Sequence, residues 1–366
     1  MNGPWADVQR ILVMRLDNIG DVVMTSPVLR TLKGNLPGAH ITLMASPGGS
    51  KAAPLLPWVD EVLPWRVLWQ DLGSLPHDPA REWELVETLR EGKYDAAIIL
   101  TSFRQTPHAA GYACYLAGIP SRLGESKEWG GGVLTTEVPP APDELHQAER
   151  NLRLIEHVGF RAGARTLSVR VPEEARRTVA TLLETLGVAP GSPYLLLCPW
   201  TSCQARTYHS DRFARAARVL SEKTGWPVVV SGTEADRTRG GELFSVLDGW
   251  GVDLVGATDL VELAALVEGA RLVLTNNTST THLADALRAP SVVLFSGTEL
   301  EGQWRPRDAP HRLLRRETRC SPCYAFTCPY NLECLDIPPE EVAETGLSLL
   351  ADLGERFAAP RKGARA

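Results

Sequence analysis

Short apolar runs of strand length alternate with amphipathic stretches of helical period, and the whole pattern occurs twice along the 366 residues. Strands buried on both faces read as continuous Val/Ile/Leu runs, and a parallel sheet needs a helix-length crossover between each pair. In the first half the runs are 11–15, 41–45, a short 61–63 and 96–100, with helical segments near 21–33, 81–90 and 108–117. In the second they are 194–198, 228–231, 254–255, 272–275 and 292–295, separated by helical segments near 211–223, 234–247, 260–268 and 280–287. The repetition predicts an α/β chain of two doubly wound, Rossmann-like domains, a size that two cores of ordinary extent accommodate.

A polar stretch from about Arg161 to Pro193 divides the halves; its helical segment 173–186 is closed by Gly187, Pro190, Gly191 and Pro193. The predicted domains are residues 1–175, residues 176–338 including a cysteine-rich loop at 320–334, and a C-terminal helix and tail at 339–366. No strand follows helix 339–353, so it is expected to pack back on the first domain, with 358–366 frayed. Doubly wound domains bind ligands beyond the carboxyl ends of their strands. Two such domains facing each other put the expected ligand in the cleft between them.

Composition removes several classes of function. Thirty-eight basic against 44 acidic residues give a net charge of −6, the wrong sign for a protein that holds nucleic acid. No apolar run approaches the roughly 20 residues of a membrane helix, and the first ten residues lack a secretory core, so a cytoplasmic location is expected. Neither Gly-x-Gly-x-x-Gly nor a P-loop is present, which weakens dehydrogenase and NTPase assignments.

What remains sits at the predicted strand ends. The first strand runs into Arg15-Leu16-Asp17-Asn18-Ile19-Gly20-Asp21. A carboxylate there suits a general base that takes a hydroxyl proton; it equally suits a cap on the helix start. Arg15 is placed to pair with Asp21 or to meet a ligand anion. After strand 194–198 come Thr201, Ser202 and Arg206, hydroxyls and a guanidinium fork of the kind that fits phosphate oxygens. After strand 272–275, Asn276-Asn277-Thr278-Ser279-Thr280-Thr281-His282 opens a helix, where backbone N–H groups favour an anion or are simply capped. Ser296-Gly297-Thr298 makes a third small-residue turn at the same edge.

In order and spacing, residues 11–30 (ILVMRLDNIGDVVMTSPVLR), 198–208 (CPWTSCQARTY) and 276–284 (NNTSTTHLA) resemble glycosyltransferase family 9, the lipopolysaccharide heptosyltransferases of GT-B fold, and the likeness spans about residues 10–350. The resemblance implies inverting, metal-independent transfer of a sugar, heptose from ADP-heptose, from a nucleotide diphosphate sugar to a lipopolysaccharide-core or other cell-surface glycan or glycolipid. It implies Asp21 as the base, with Arg15 and Gly20 in the same cleft loop. Thr201, Ser202, Arg206, Thr280, Thr281 and His282 are implied at the donor diphosphate, and Glu234, Asn277 and Thr278 at the nucleoside or sugar. Asn277 stands where the family usually has Asp, Ser279 where it has Gly and Arg206 where it has Lys. Alternatives are a transferase with another nucleotide-sugar donor, a nucleotide-sugar epimerase, or a non-catalytic nucleotide-sugar or glycan-binding protein.

Two features lie outside those motifs. Cys320, Cys323, Cys328 and Cys334 have a spacing able to close a structural zinc site; free thiols packing a loop, disulfides and an iron–sulfur cluster are the other readings, and no cofactor is assigned to catalysis. Trp58, Trp65, Trp69, Trp83 and Trp129 concentrate in the first domain, suited to core packing, to stacking on sugar rings or to a lipid surface. Residues 1–150 carry 13 basic against 18 acidic side chains, so at most peripheral, acceptor-mediated contact with the inner membrane is expected.

Overall fold

The computed structural model describes residues 5–355, so the expected frayed tail 358–366 lies outside the described residues. All strand pairing is parallel, in two six-stranded sheets. The first holds β1 (Arg10–Arg15), β2 (His40–Ala45), β3 (Glu61–Pro64), β4 (Ala96–Ile99), β5 (Ser121–Glu125) and β6 (Thr136–Val138) in the order β3-β2-β1-β4-β5-β6. The second holds β7 (Leu195–Cys198), β8 (Val228–Gly232), β9 (Gly251–Val255), β10 (Leu272–Asn276), β11 (Ser291–Leu294) and β12 (His311–Leu314) in the order β12-β11-β10-β7-β8-β9. Each is the doubly wound order, reversing between β1 and β4 in one sheet and between β7 and β10 in the other.

The chain divides into two compact units, at Arg170 and Val171, against the expected boundary at 175 and 176. In the first, Leu12, Met14, Ala97 and Ile99 of the central strands meet Leu85, Val86 and Leu89 of the helix Pro79–Glu91 and Ala110, Ala113 and Cys114 of the helix His108–Leu116. Burial pushes the Cys114 thiol up to about 12, so it packs as a small apolar group. The segment expected as one helix at 21–33 is two, Ile19–Val23 and Ser26–Asn35. Pro27, in the first turn of the second helix, has no N–H to continue the first.

In the second unit the core joins Leu195, Leu197, Leu272 and Leu274 to Phe213 and Leu220 of the helix Ser210–Thr224. The last helix, Pro339–Asp352, belongs to this same core through Val342, Ala343, Leu349 and Leu350, which corrects the expectation that it packs back on the first domain. Burying each larger side chain contributes roughly 1.5–3 kcal/mol. Gly346 allows the approach: a Cβ there would stand 3.0 Å from Leu272 and 3.1 Å from Leu220. Among the described residues no helix is long and apolar enough to cross a membrane.

Candidate active site

Arg15 ends β1 at the reversal point of the first sheet, and its side chain is wholly buried. A buried guanidinium needs partners. Its Nη2 donates to Asp21 Oδ1 at 2.7 Å and to Ser102 Oγ at 2.8 Å, Ser102 lying in the loop after β4. Its Nε stands 3.1 Å from Asp17 Oδ2, an ion pair whose angle misses hydrogen-bonding geometry. One guanidinium therefore serves two carboxylates, and it does so across the strand reversal where doubly wound sheets bind ligands.

Asp21 also caps. It is the third residue of the helix Ile19–Val23, and its Oδ2 accepts the Asn18 backbone N–H at 3.2 Å. The capping and base assignments thus describe one carboxylate, 13% exposed, fixed through both oxygens. Gly20 is buried one position before it. Asp17 is raised above the usual aspartate value of 3.8, mainly because burial penalises its charge and further by the charge of Asp21. Arg15 and the Gln105 side-chain amide oppose that rise. Gln105 Oε1 in turn accepts the Ser102 N–H at 2.9 Å. Gly49 backs the loop: a Cβ there would stand 2.8 Å from the Asp17 carbonyl oxygen. Ser102 and Gln105 escaped the sequence reading because they carry no motif; only the rule that ligands sit at strand reversals points to their loop.

In the second unit Asn276 ties the reversal point together. Its side chain accepts the Tyr208 N–H at 2.9 Å and donates to the Pro199 carbonyl at 2.7 Å, joining the end of β10 to the loop after β7. Arg206 ends the short 3-10 turn Gln204–Arg206. Its Nε donates to Thr298 Oγ1 at 3.2 Å and its Nη2 pairs with Glu299 Oε1 at 2.9 Å. Because β10 separates β7 from β11 in the sheet, this contact spans the carboxyl end of β10, where Asn277 and Thr278 lie.

Several expected phosphate ligands are engaged within the chain. Thr201 Oγ1 accepts the Cys203 N–H at 2.9 Å and lies 2.9 Å from Thr207 Oγ1, closing its own turn, while Ser202 is exposed. Thr278 caps the helix Ser279–Leu287 by accepting the Thr280 N–H at 3.3 Å. The Thr281 N–H reaches the Thr278 carbonyl, and its hydroxyl donates to the Asn276 carbonyl at 2.8 Å. His282 is buried, its ring tilted against Trp304 at 6.5 Å between centroids. Glu234 follows β8, on the side of β7 opposite Glu299; it is exposed and pairs with Arg237 at 3.0 Å. Gly256, beside Glu234, has φ +72, a left-handed conformation that favours glycine.

The cysteine loop backs this edge. The Cys323 and Tyr324 N–H groups donate to the Gly297 and Thr298 carbonyls, the Ala205 N–H donates to the Phe326 carbonyl, and the Cys328 N–H donates to Gln204 Oε1. Cys320, Cys323, Cys328 and Cys334 are free thiols lining one cavity of about 340 Å³ with Gly297, Thr298 and Tyr330. Among the described residues no group of three or more His, Cys, Asp or Glu side chains is arranged to hold a metal ion. Cys198 is pushed up to about 12 by burial, as a packing thiol should be.

Residues 82–333 match the family described as glycosyltransferase family 9 (heptosyltransferase). Lipopolysaccharide heptosyltransferase 2 of Salmonella typhimurium is 26% identical over 361 residues, covering 94% of this chain and 99% of its own. Lipopolysaccharide heptosyltransferase 1 of Pseudomonas aeruginosa is 26% identical, with 88% of each chain covered. Among solved structures, the ADP-heptose lipopolysaccharide heptosyltransferase II of E. coli superposes with a TM-score of 0.74 at 23% identity, covering 95% of this chain and all of its own. The family-model match over residues 82–333, more than half of the chain, settles the family: the chain belongs to glycosyltransferase family 9, the heptosyltransferases.

Proposed function

We propose that this glycosyltransferase moves heptose from ADP-heptose to a hydroxyl of the lipopolysaccharide core, with inversion at the anomeric carbon. The observation that carries the proposal is the Asp21 carboxylate, held through one oxygen by the buried Arg15 and through the other by a backbone N–H at the reversal point of the first sheet. Pinned at both oxygens, it pays little reorganisation to meet an acceptor hydroxyl. The hydroxyl oxygen forms the new bond to the anomeric carbon and its proton passes to Asp21. The anomeric carbon–oxygen bond breaks from the opposite face, and ADP leaves with the bonding pair.

The charge that develops on the leaving diphosphate is met by Arg206, with the exposed Ser202 hydroxyl as a neutral donor. Thr201, Thr280, Thr281 and His282 shape the turns that hold those groups, and Glu234 is assigned to the nucleoside and Asn277 and Thr278 to the sugar side. The nucleotide sugar is a substrate and no cofactor takes part. The acceptor brings the enzyme to the cytoplasmic face of the inner membrane, where its contact is peripheral.

The test incubates purified protein with ADP-heptose and a core acceptor lacking the receiving heptose. ADP release that requires both substrates, with one heptosyl residue gained by the acceptor, is the expected result. Release from another nucleotide sugar and none from ADP-heptose would replace the donor.

A further inference from the structure

Arg206 is proposed to hold the donor diphosphate, yet its guanidinium is paired with a carboxylate, Glu299, at 2.9 Å. Glu299 side-chain exposure is 16%, so the pair is only partly screened by water. A carboxylate beside a diphosphate site repels the diphosphate, which makes it a poor neighbour for ADP alone. It becomes a favourable neighbour if the ligand also presents hydroxyl groups, because an ionised carboxylate only accepts and has about four sites to do so. Arg206 need not release it: the fork has five N–H donors, of which Nε is on Thr298 and Nη2 on Glu299, leaving others for phosphate oxygens.

The placement supports the same role. The Arg206–Glu299 contact spans the carboxyl end of β10, so Asn277, the first residue beyond that strand, lies in sheet order between the loops that carry the two. Asn277 is buried and neutral. Glu299 is thus the carboxylate that the β7, β10 and β11 loops bring to this edge beside Arg206. Thr298, buried and hydrogen-bonded to Arg206, is itself fixed from behind by the Tyr324 N–H on its carbonyl.

We propose that Glu299 is a sugar-recognising residue of the donor site, its carboxylate accepting hydroxyl hydrogen bonds from the sugar of the nucleotide diphosphate sugar while Arg206 holds it in register. This rests on the donor assignment made above. Glu299 touches substrate and sets specificity; it moves no proton.

Calorimetric titration of ADP and of ADP-heptose into wild type, Glu299→Gln and Glu299→Asp tests it. In Glu299→Gln the preference for ADP-heptose over ADP should fall about 10- to 100-fold, the range for a lost charged hydrogen bond, with ADP itself bound as well or more tightly. Glu299→Asp keeps the charge on Arg206 but shortens the reach, so ADP affinity should stay at the wild-type value while the preference still falls. If both ligands weaken together in Glu299→Gln, Glu299 only positions Arg206, and if neither changes it takes no part in donor binding; either result overturns the proposal. Wild-type protein that binds neither ligand overturns the donor assignment itself, an outcome visible before any variant is made.

Discussion

Replacing Arg15 by Met removes the guanidinium that pairs with both Asp17 and Asp21 without leaving a large hole. Arg15 is fully buried, and the two carboxylates are only 9% and 13% exposed, so water compensates little. Breaking a buried pair by deleting one partner costs about 3–5 kcal/mol, and here the Ser102 hydroxyl loses its donor as well. Asp17 limits the loss, because its pKa is already raised and it can take up a proton instead of standing charged and unpaired. The lower end, about 3 kcal/mol, is therefore expected. For a unit of this size each kcal/mol moves the melting temperature by roughly 2–4 °C, so calorimetry should show the first unit melting roughly 6–12 °C lower. Arg15→Lys should fall between the two, since an ammonium keeps the charge and loses the fork. A melting temperature for Arg15→Met within roughly 2 °C of wild type would refute the view that this guanidinium is what makes two buried carboxylates tolerable.

Three further outcomes follow from the same geometry. Because the folded chain holds the Asp17 proton more tightly than the unfolded chain does, its contribution to stability is whole below pH 3.8 and fades as pH rises through the higher folded value. The stability of Asp17→Asn relative to wild type should therefore climb in urea titrations as pH rises above 3.8; a flat difference would show that Asp17 titrates normally. Arg206→Ala should weaken ADP binding by about 10- to 100-fold in calorimetry, and an unchanged affinity would remove Arg206 from the diphosphate site. Gly49→Ala should lower transfer activity while leaving ADP affinity intact, because the new Cβ would stand 2.8 Å from the Asp17 carbonyl and displace the loop that carries Asp21; equal loss of both would point to general misfolding.

The parallel architecture was legible because its central strands carry unbroken apolar runs: β1, β4, β7, β10 and β11 are buried nearly throughout, and their polar residues, Arg10, Arg15, Thr275, Asn276 and Ser291, stand at the strand ends. The strands missed, β5, β6 and β12, break that pattern for physical reasons. β5 buries Arg122 and Glu125; Arg122 Nε donates to the Val133 carbonyl at 2.7 Å, and Glu125 takes Arg150 at 2.7 Å. Those partners come from distant positions, so a local window sees only charge. β6 is three residues long, and β12 lies at a sheet edge, half-buried throughout. The helix Gln147–Glu156 was hidden likewise, since Gln147, Arg150 and Asn151 sit on its buried face.

Within the site, the motif positions were legible as strand-end loops, but their internal bookkeeping was not. Thr201 and Thr281 look like phosphate ligands in sequence and spend their hydroxyls on their own turns. Ser102 and Glu299 look like ordinary loop residues and stand on Arg15 and Arg206. Hydroxyls and carboxylates acquire roles from what the strand order places beside them, and that order is a property of the whole sheet. The C-terminal helix shows the same limit: its apolar face was visible, while its partner, the helix Ser210–Thr224, was not.

The most direct test of Asp21 as the base is single-turnover transfer by Asp21→Asn with ADP-heptose and the core acceptor, alongside ADP titration. Asn matches the carboxylate in shape and cannot take the proton, so turnover should fall by about 10²- to 10⁴-fold, with ADP affinity unchanged. Transfer at the wild-type rate would contradict the assignment and return Asp21 to the plain role of a helix cap.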